Sequence, residues 1–216
     1  MIPNSTELQE AIAVVNKVVE LGLTAAMRRE HFYPETWYYH DVPDISKGNF
    51  DIYAGATKGV IVPLDMDFVI KFDYVAQPYC ARECENYKAA MEAGLEDYFP
   101  YTAFLCCVDE VNFYIQERAE CGDNCDVPDI AFNSLKARYE SYGDPINEND
   151  IWADLDELDA DEAVELVFDD NKLIDFIIKR HINDLHMANF GTIYGRNVII
   201  DFSGYGNSVW TEVEVV

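Results

Sequence analysis

The sequence predicts an α+β protein built as two lobes, and three observations predict it. Strand-like stretches come in antiparallel groups instead of alternating with helices. A long helical stretch, rich in acids, follows them from residue 129 to 181. A hairpin signal then joins two short apolar runs at Tyr194-Gly195-Arg196-Asn197, where Gly195 supplies the positive φ of a tight turn.

The elements follow in order. Residues 6–29 read as a helix with Thr6 and Gln9 as a capping box, and Leu8, Ile12, Val15 and Val19 recur at helical spacing. Residues 49–74 read as strands. There Phe68, Ile70 and Phe72 alternate with Val69, Lys71 and Asp73, so Lys71 lies on the face opposite the three apolar residues. Residues 79–94 are helical and end at Gly94, a C-cap. Residues 102–120 give two strands around a turn at Asp109-Glu110. Gly122, Asp123 and Asn124 loosen the chain between Ala119 and Asp126, which marks the lobe boundary. In the last helix Leu173, Phe176, Ile177 and Arg180 recur at helical spacing. The expected organisation is a helical extension over 1–47, a first lobe over 48–120 and a second over 121–216.

Composition narrows the function classes. The chain has 216 residues, half of them apolar, so a real core is possible. Its formal net charge is -26, which repels nucleic acid and anionic membranes. Neither is an expected partner. Two classes survive: an acidic cytoplasmic protein, or a nucleic-acid mimic that binds basic proteins. "MIPNSTELQE" lacks a basic start followed by an apolar run, so no signal peptide is expected and the six cysteines are expected to be reduced core thiols. Cys80/Cys84 and Cys121/Cys125 have C-x3-C spacing, yet no His completes a zinc site locally.

The chemistry-bearing stretch is "HINDLHMANFGTIYGRNVIIDFSGYG", residues 181–206. Asp184 follows a helix, Asn189 begins a strand, and Asp201 ends the strand that returns from the hairpin. That return carries Asp201 toward Asn189, so both oxygens can face one hard metal such as Mg2+. Two acids and an amide at these intervals suit phosphoryl transfer, which needs an oriented hydroxyl, Mg2+ on the phosphates and a positioned cation.

These residues resemble a family. "D-L-H-M-A-N" is similar to the catalytic loop of the protein-kinase-like superfamily, which includes protein kinases and aminoglycoside phosphotransferases, and "I-I-D-F-S-G" is similar to its Asp-Phe-Gly motif. The resemblance implies a bilobal kinase-like fold: an antiparallel N-lobe sheet with one helix, and a reduced, mostly helical C-lobe with a catalytic hairpin. It implies ATP and Mg2+ as cofactors, Asp184 as catalytic base, and Asn189 and Asp201 as metal ligands. "F-V-I-K-F" matches the strand that carries the phosphate-binding lysine, here Lys71. "R-E-C-E-N-Y-K" resembles the helix whose glutamate pairs with that lysine; Glu83 stands in the expected place. Glu85 is the alternative and points about 200° away, so only one of them faces Lys71. "Y-I-Q-E-R-A-E" resembles the strand leading to the hinge, with Gln116 at the back pocket and the backbone of Glu117 and Ala119 toward adenine. "G-A-T-K-G-V" resembles a shortened Gly-rich loop, which implies Gly55, Lys58 and Gly59 at the phosphates. The match spans roughly residues 48–204, with 126–170 unmatched in detail.

The departures are specific. Ile182 and Asn183 stand where protein kinases have His and Arg, and Ser203 replaces the glycine of Asp-Phe-Gly. Twelve residues follow Gly204, so an activation segment and peptide-docking helices are not expected. The hydroxyl acceptor is therefore unspecified. Plainer roles compete at each position. Lys71 alone is a strand-edge lysine, Asp184 and Asn189 are turn formers, and Glu83 is a solvated helix charge. Asp201 resists such a role, because a carboxylate ending an apolar strand needs a cation or strong donors. Residues 147–170 hold eleven acids and no Lys or Arg. They are either the solvated face of helices built on Trp152, Leu155, Leu158, Val164 and Leu166, or a phosphate-like array that fits a basic groove. The second option defines the alternative function, a non-catalytic acidic binding protein or pseudokinase that inhibits a nucleic-acid-targeting defence enzyme. Small size, an acidic pI and a stripped-down fold suit a phage or prophage origin for either.

Overall fold

The computed structural model describes residues 2–24, 49–55, 57–73, 77–121, 125–142, 147–183 and 185–204. The protein is α+β and divides into two compact units, Met1–Arg118 and Ala119–Val216. Among the described residues no helix is long and apolar enough to cross a membrane.

The first unit opens with α1 (Ser5–Glu20). Its cap corrects the sequence expectation. Asn4, not Thr6, accepts from the backbone N–H groups of Thr6 at 2.9 Å and Glu7 at 3.1 Å, and Glu7 accepts from Asn4 N–H at 2.7 Å. This box satisfies the same orphan donors and adds a carboxylate at the positive end of the helix dipole, which Gln9 cannot offer. The expected helix is also interrupted: α1 ends at Glu20, Gly22 follows with φ 72°, and helix resumes at Leu23 and Thr24. Residues 25–29 lie outside the described residues.

A five-stranded antiparallel sheet follows, in the order β1-β2-β3-β5-β4. Its strands are β1 (Phe50–Ala54), β2 (Lys58–Pro63), β3 (Phe68–Asp73), β4 (Thr102–Val108) and β5 (Val111–Glu117). Period-two alternation gives the sheet two unlike faces. On one, Phe50, Ile61, Phe68, Ile70, Phe72, Phe113 and Ile115 form a core with Ala11, Val15 and Val18 of α1. The helix set apart by sequence as an extension thus contributes Ala11, Val15 and Val18 to this core. On the other face, register aligns Lys58 with Asp73, Lys71 with Val60 and Tyr114, and Gln116 with Val69 and Thr102. Helix α2 (Tyr79–Ala93) serves this face, where Cys80 and Cys84 pack on Tyr114. It ends at Gly94, φ 69°, as the sequence predicts, with Leu95 N–H returning to Ala90 O at 2.8 Å.

Among the described residues the second unit has four α-helices, α3 (Val127–Tyr142), α4 (Glu148–Glu157), α5 (Ala160–Phe168) and α6 (Asn171–Arg180), then the hairpin β6 (Phe190–Ile193) and β7 (Arg196–Ile199). Ile151, Leu155, Ala163, Val164, Leu166 and Val167 are buried, whereas Asp150, Glu157, Asp159, Asp161, Glu162 and Glu165 are exposed. Part of the acidic run is capping chemistry. Asp170 accepts from Lys172 N–H at 2.8 Å to start α6, and Asp159 with Glu162 forms the capping box of α5. Trp152 stacks on Phe132 with ring centroids 4.6 Å apart. The hairpin turn places both Tyr194 (φ 49°) and Gly195 (φ 78°) in the left-handed region, the pattern of a primed two-residue turn.

Candidate functional site

In the first unit the polar face of the sheet gathers a charge cluster. Lys71 lies on β3, between β2 and β5, and is 7% exposed; it is not an edge lysine. Glu83 of α2 is 0% exposed and pairs with it: Lys71 Nζ lies 3.2 Å from Oε2 and 3.4 Å from Oε1. Glu85 is exposed, so the choice between the two glutamates resolves geometrically. Helix phase explains it. Cys80, Cys84 and Tyr87 are buried at i, i+4 and i+7, and position 83 falls on that seam.

Lys58 differs from its expected setting. It and Gly59 are strand residues of β2, with Gly59 paired to Ala54 and Phe72. Only Gly55 keeps a turn position, its N–H donating to Lys58 O at 2.9 Å. Lys58 is 6% exposed, and its Nζ sits 2.7 Å from Glu83 Oε1. Two lysines therefore share one buried carboxylate. The sequence hid this because cross-strand register is not written in a single strand. Centring the β2–β3 hairpin would have aligned Lys58 with Asp73, but not with Glu83, which arrives from α2.

Asp73 ends β3 and accepts from Cys80 N–H at 3.1 and 3.2 Å, at the start of α2. Burial raises its pKa from 3.8 to about 6, opposed by the Cys80 hydrogen bond. Glu83 of α2 pushes the same way as burial, and Lys58 of β2 opposes it. Tyr114 and Cys80 also couple to Asp73. Because folding raises this pKa, the folded state holds a proton between pH 3.8 and about 6 that the unfolded chain has lost. Stability from this group therefore falls as pH rises through that window, by up to about 3 kcal/mol. Asp73→Asn keeps the acceptor and removes the titration. Urea unfolding at pH 4.5 and 7.5 should show the variant exceeding wild type at both, by about 1 kcal/mol at the lower pH and about 3 kcal/mol at the higher. A variant-minus-wild-type difference that does not change with pH would contradict this.

The thiols nearby are not reactive groups. Burial pushes the Cys84 thiol to about 12 and the Cys80 thiol well above its ordinary range, with Glu83 adding to both. Cys107 is exposed, against the expectation of a core thiol, because it points outward on the edge strand β4. Among the described residues no cluster of His, Cys, Asp and Glu could hold a metal.

Gln116, 2% exposed, has a defined amide orientation. Thr102 Oγ1 donates to Pro100 O at 3.1 Å, so it must accept from Gln116 Nε2 at 3.0 Å. Glu117 N–H donates to Tyr101 O at 2.9 Å, which commits that donor to the first unit's own structure.

In the second unit, Ala119 precedes Glu120, which exchanges backbone bonds of 2.9 and 2.8 Å with Thr192. Asn189 is 8% exposed and ends a 3-10 turn, its N–H donating to His186 O at 2.8 Å. Hairpin register pairs Phe190 with Ile199, and Ile200 N–H then donates to Asn189 O at 2.8 Å. Asp201 is the next residue, so the return of the hairpin brings it beside Asn189. Its Oδ1 accepts from Ser203 Oγ at 3.2 Å, one of the donors a part-buried carboxylate needs. Asp184 lies outside the described residues. No family model, curated protein or solved structure matches this chain.

Proposed function

We propose that the protein is an ATP- and Mg2+-dependent phosphotransferase of the protein-kinase-like type, acting on a hydroxyl. The carrying observation is the buried Lys71–Glu83 pair, 3.2 Å apart, between the central strand and the helix that covers it. A lysine held this way presents a fixed cation, as inner phosphates require. Asn189 and Asp201 fit Mg2+, because they offer hard oxygen donors on adjacent hairpin positions. Bound ATP with Mg2+ supplies a γ-phosphoryl group whose charge is neutralised by the metal. In this proposal Lys71 holds the inner phosphates and Glu83 orients Lys71. Asp184 accepts the proton of the attacking hydroxyl as the oxygen–phosphorus bond forms and ADP leaves. Gln116 lines the base end, with the backbone of Glu117 and Ala119.

A thermal-shift titration with ATP and Mg2+ tests the proposal. At a hundredfold excess over Kd, binding to the folded state adds about 2.7 kcal/mol, which raises Tm by roughly 5–10 °C for a chain of this size. Lys71→Met and Asp201→Asn should each abolish the rise. A wild-type Tm indifferent to ATP would overturn it and leave the non-catalytic acidic binder as the surviving function.

A further inference from the structure

We propose that Lys58 is a positioning residue, the cation that keeps Glu83 in place while Lys71 serves the nucleotide phosphates. The proposal rests on the phosphotransferase reading for its purpose, but its geometry stands in the first unit alone. Glu83 is a carboxylate with no exposed surface, and stripping such a group of its cation is strongly unfavourable. If Lys71 were its sole partner, each approach of Lys71 to a phosphate would weaken the one contact that fixes the glutamate. Lys58 removes that conflict. Its 2.7 Å contact is shorter than either Lys71 contact, at 3.2 and 3.4 Å. Strand register also sets Lys58 opposite Asp73, whose pKa it lowers through its charge, while its Nζ reaches Glu83. Lys71 stands in register with Val60 on β2 and Tyr114 on β5. The shared oxygen, Glu83 Oε1, links the two ammonium groups, so the glutamate keeps a strong bond when Lys71 turns to phosphate.

The test uses the full chain and two measurements. The first is a pair of double-mutant cycles in urea without nucleotide, Lys58→Met with Glu83→Gln and Lys71→Met with Glu83→Gln. The Lys58 coupling should be the larger; a smaller one overturns the proposal whether or not ATP binds. Lys58→Gln replaces Lys58→Met if the latter fails to fold, since it too removes the charge and with it the interaction the cycle measures. The second is equilibrium binding of ATP with Mg2+ and of adenosine. Lys58→Met should weaken ATP roughly tenfold, the worth of one charge-assisted hydrogen bond, and leave adenosine unchanged. Lys58→Arg should restore ATP affinity. Wild type that binds ATP, with Lys58→Met binding it equally well, rejects the positioning role alone. Wild type that binds no ATP rejects the phosphotransferase reading instead, and the cycles still decide which lysine holds Glu83.

Discussion

Gly204→Ala should cost on the order of 4 kcal/mol of stability, while Gly195→Ala should cost about 1 kcal/mol. Both glycines sit in the left-handed region, at φ 77° and 78°. The backbone penalty for an L side chain is therefore alike, and only the surroundings differ. A Cβ at Gly195 meets nothing within 4 Å. A Cβ at Gly204 would lie 2.3 Å from the carbonyl oxygen of His181 and 3.4 Å from Ile182 Cα. Neither neighbour can give way cheaply. His181, φ 55°, is the left-handed residue that ends α6, and Ile182 N–H returns to Ile177 O at 3.1 Å. Ile182 is itself buried. The clash is thus with backbone already committed to a helix end. Chemical denaturation of the two variants checks this directly, and equal losses would show that the crowding around Gly204 is absent in solution. If Gly204→Ala folds at all, the strain also falls three residues from Asp201, so its nucleotide response should weaken more than that of Gly195→Ala.

Glu83→Leu should destabilise the protein by roughly 3–5 kcal/mol, because it leaves two buried ammonium groups without their shared carboxylate. The size of that loss is what separates a buried charge cluster from an ordinary surface ion pair, where the same change costs at most about 1 kcal/mol. The exposed pair Lys17–Glu20, 3.1 Å apart, provides the comparison within the same unit. Removing a lysine as well, in Lys58→Met/Glu83→Leu, should recover part of the stability. Recovery is expected because one uncompensated cation has gone. Urea unfolding of the single and double variants measures both effects. A Glu83→Leu protein as stable as wild type would mean that the cluster is open to water.

What the sequence revealed, and what it hid, follows the range of the forces involved. Strands and turns were legible because alternation and left-handed turn residues are local: Phe68, Ile70 and Phe72 face the core, and Asp109 and Glu110 take φ 50° and 61° between β4 and β5. The adjacency of Asn189 and Asp201 was legible for the same reason, since one short hairpin fixes it. The α1 cap was misread because two overlapping boxes fit the letters, and only the backbone angles select Asn4. Its end was misread because apolar spacing continues past Gly22. Glu83 was decidable in principle from the seam of Cys80, Cys84 and Tyr87. Lys58 was not, because its partner arrives from a helix twenty-five residues later in the chain. The acidic run carries a local duty that its density hides: Asp159 and Asp170 begin helices, and Leu155 and Leu166 sit beneath.

The contact between α1 and the apolar face of the sheet has a practical reach. Phe50, Phe68, Phe72 and Phe113 are roofed by Ala11, Val15 and Val18. The opening two dozen residues therefore act as a lid of oil-soluble side chains over an aromatic floor. Trimming them to tidy the N-terminus would bare that floor to water and favour clumping, even though no charged group of the candidate site had been touched.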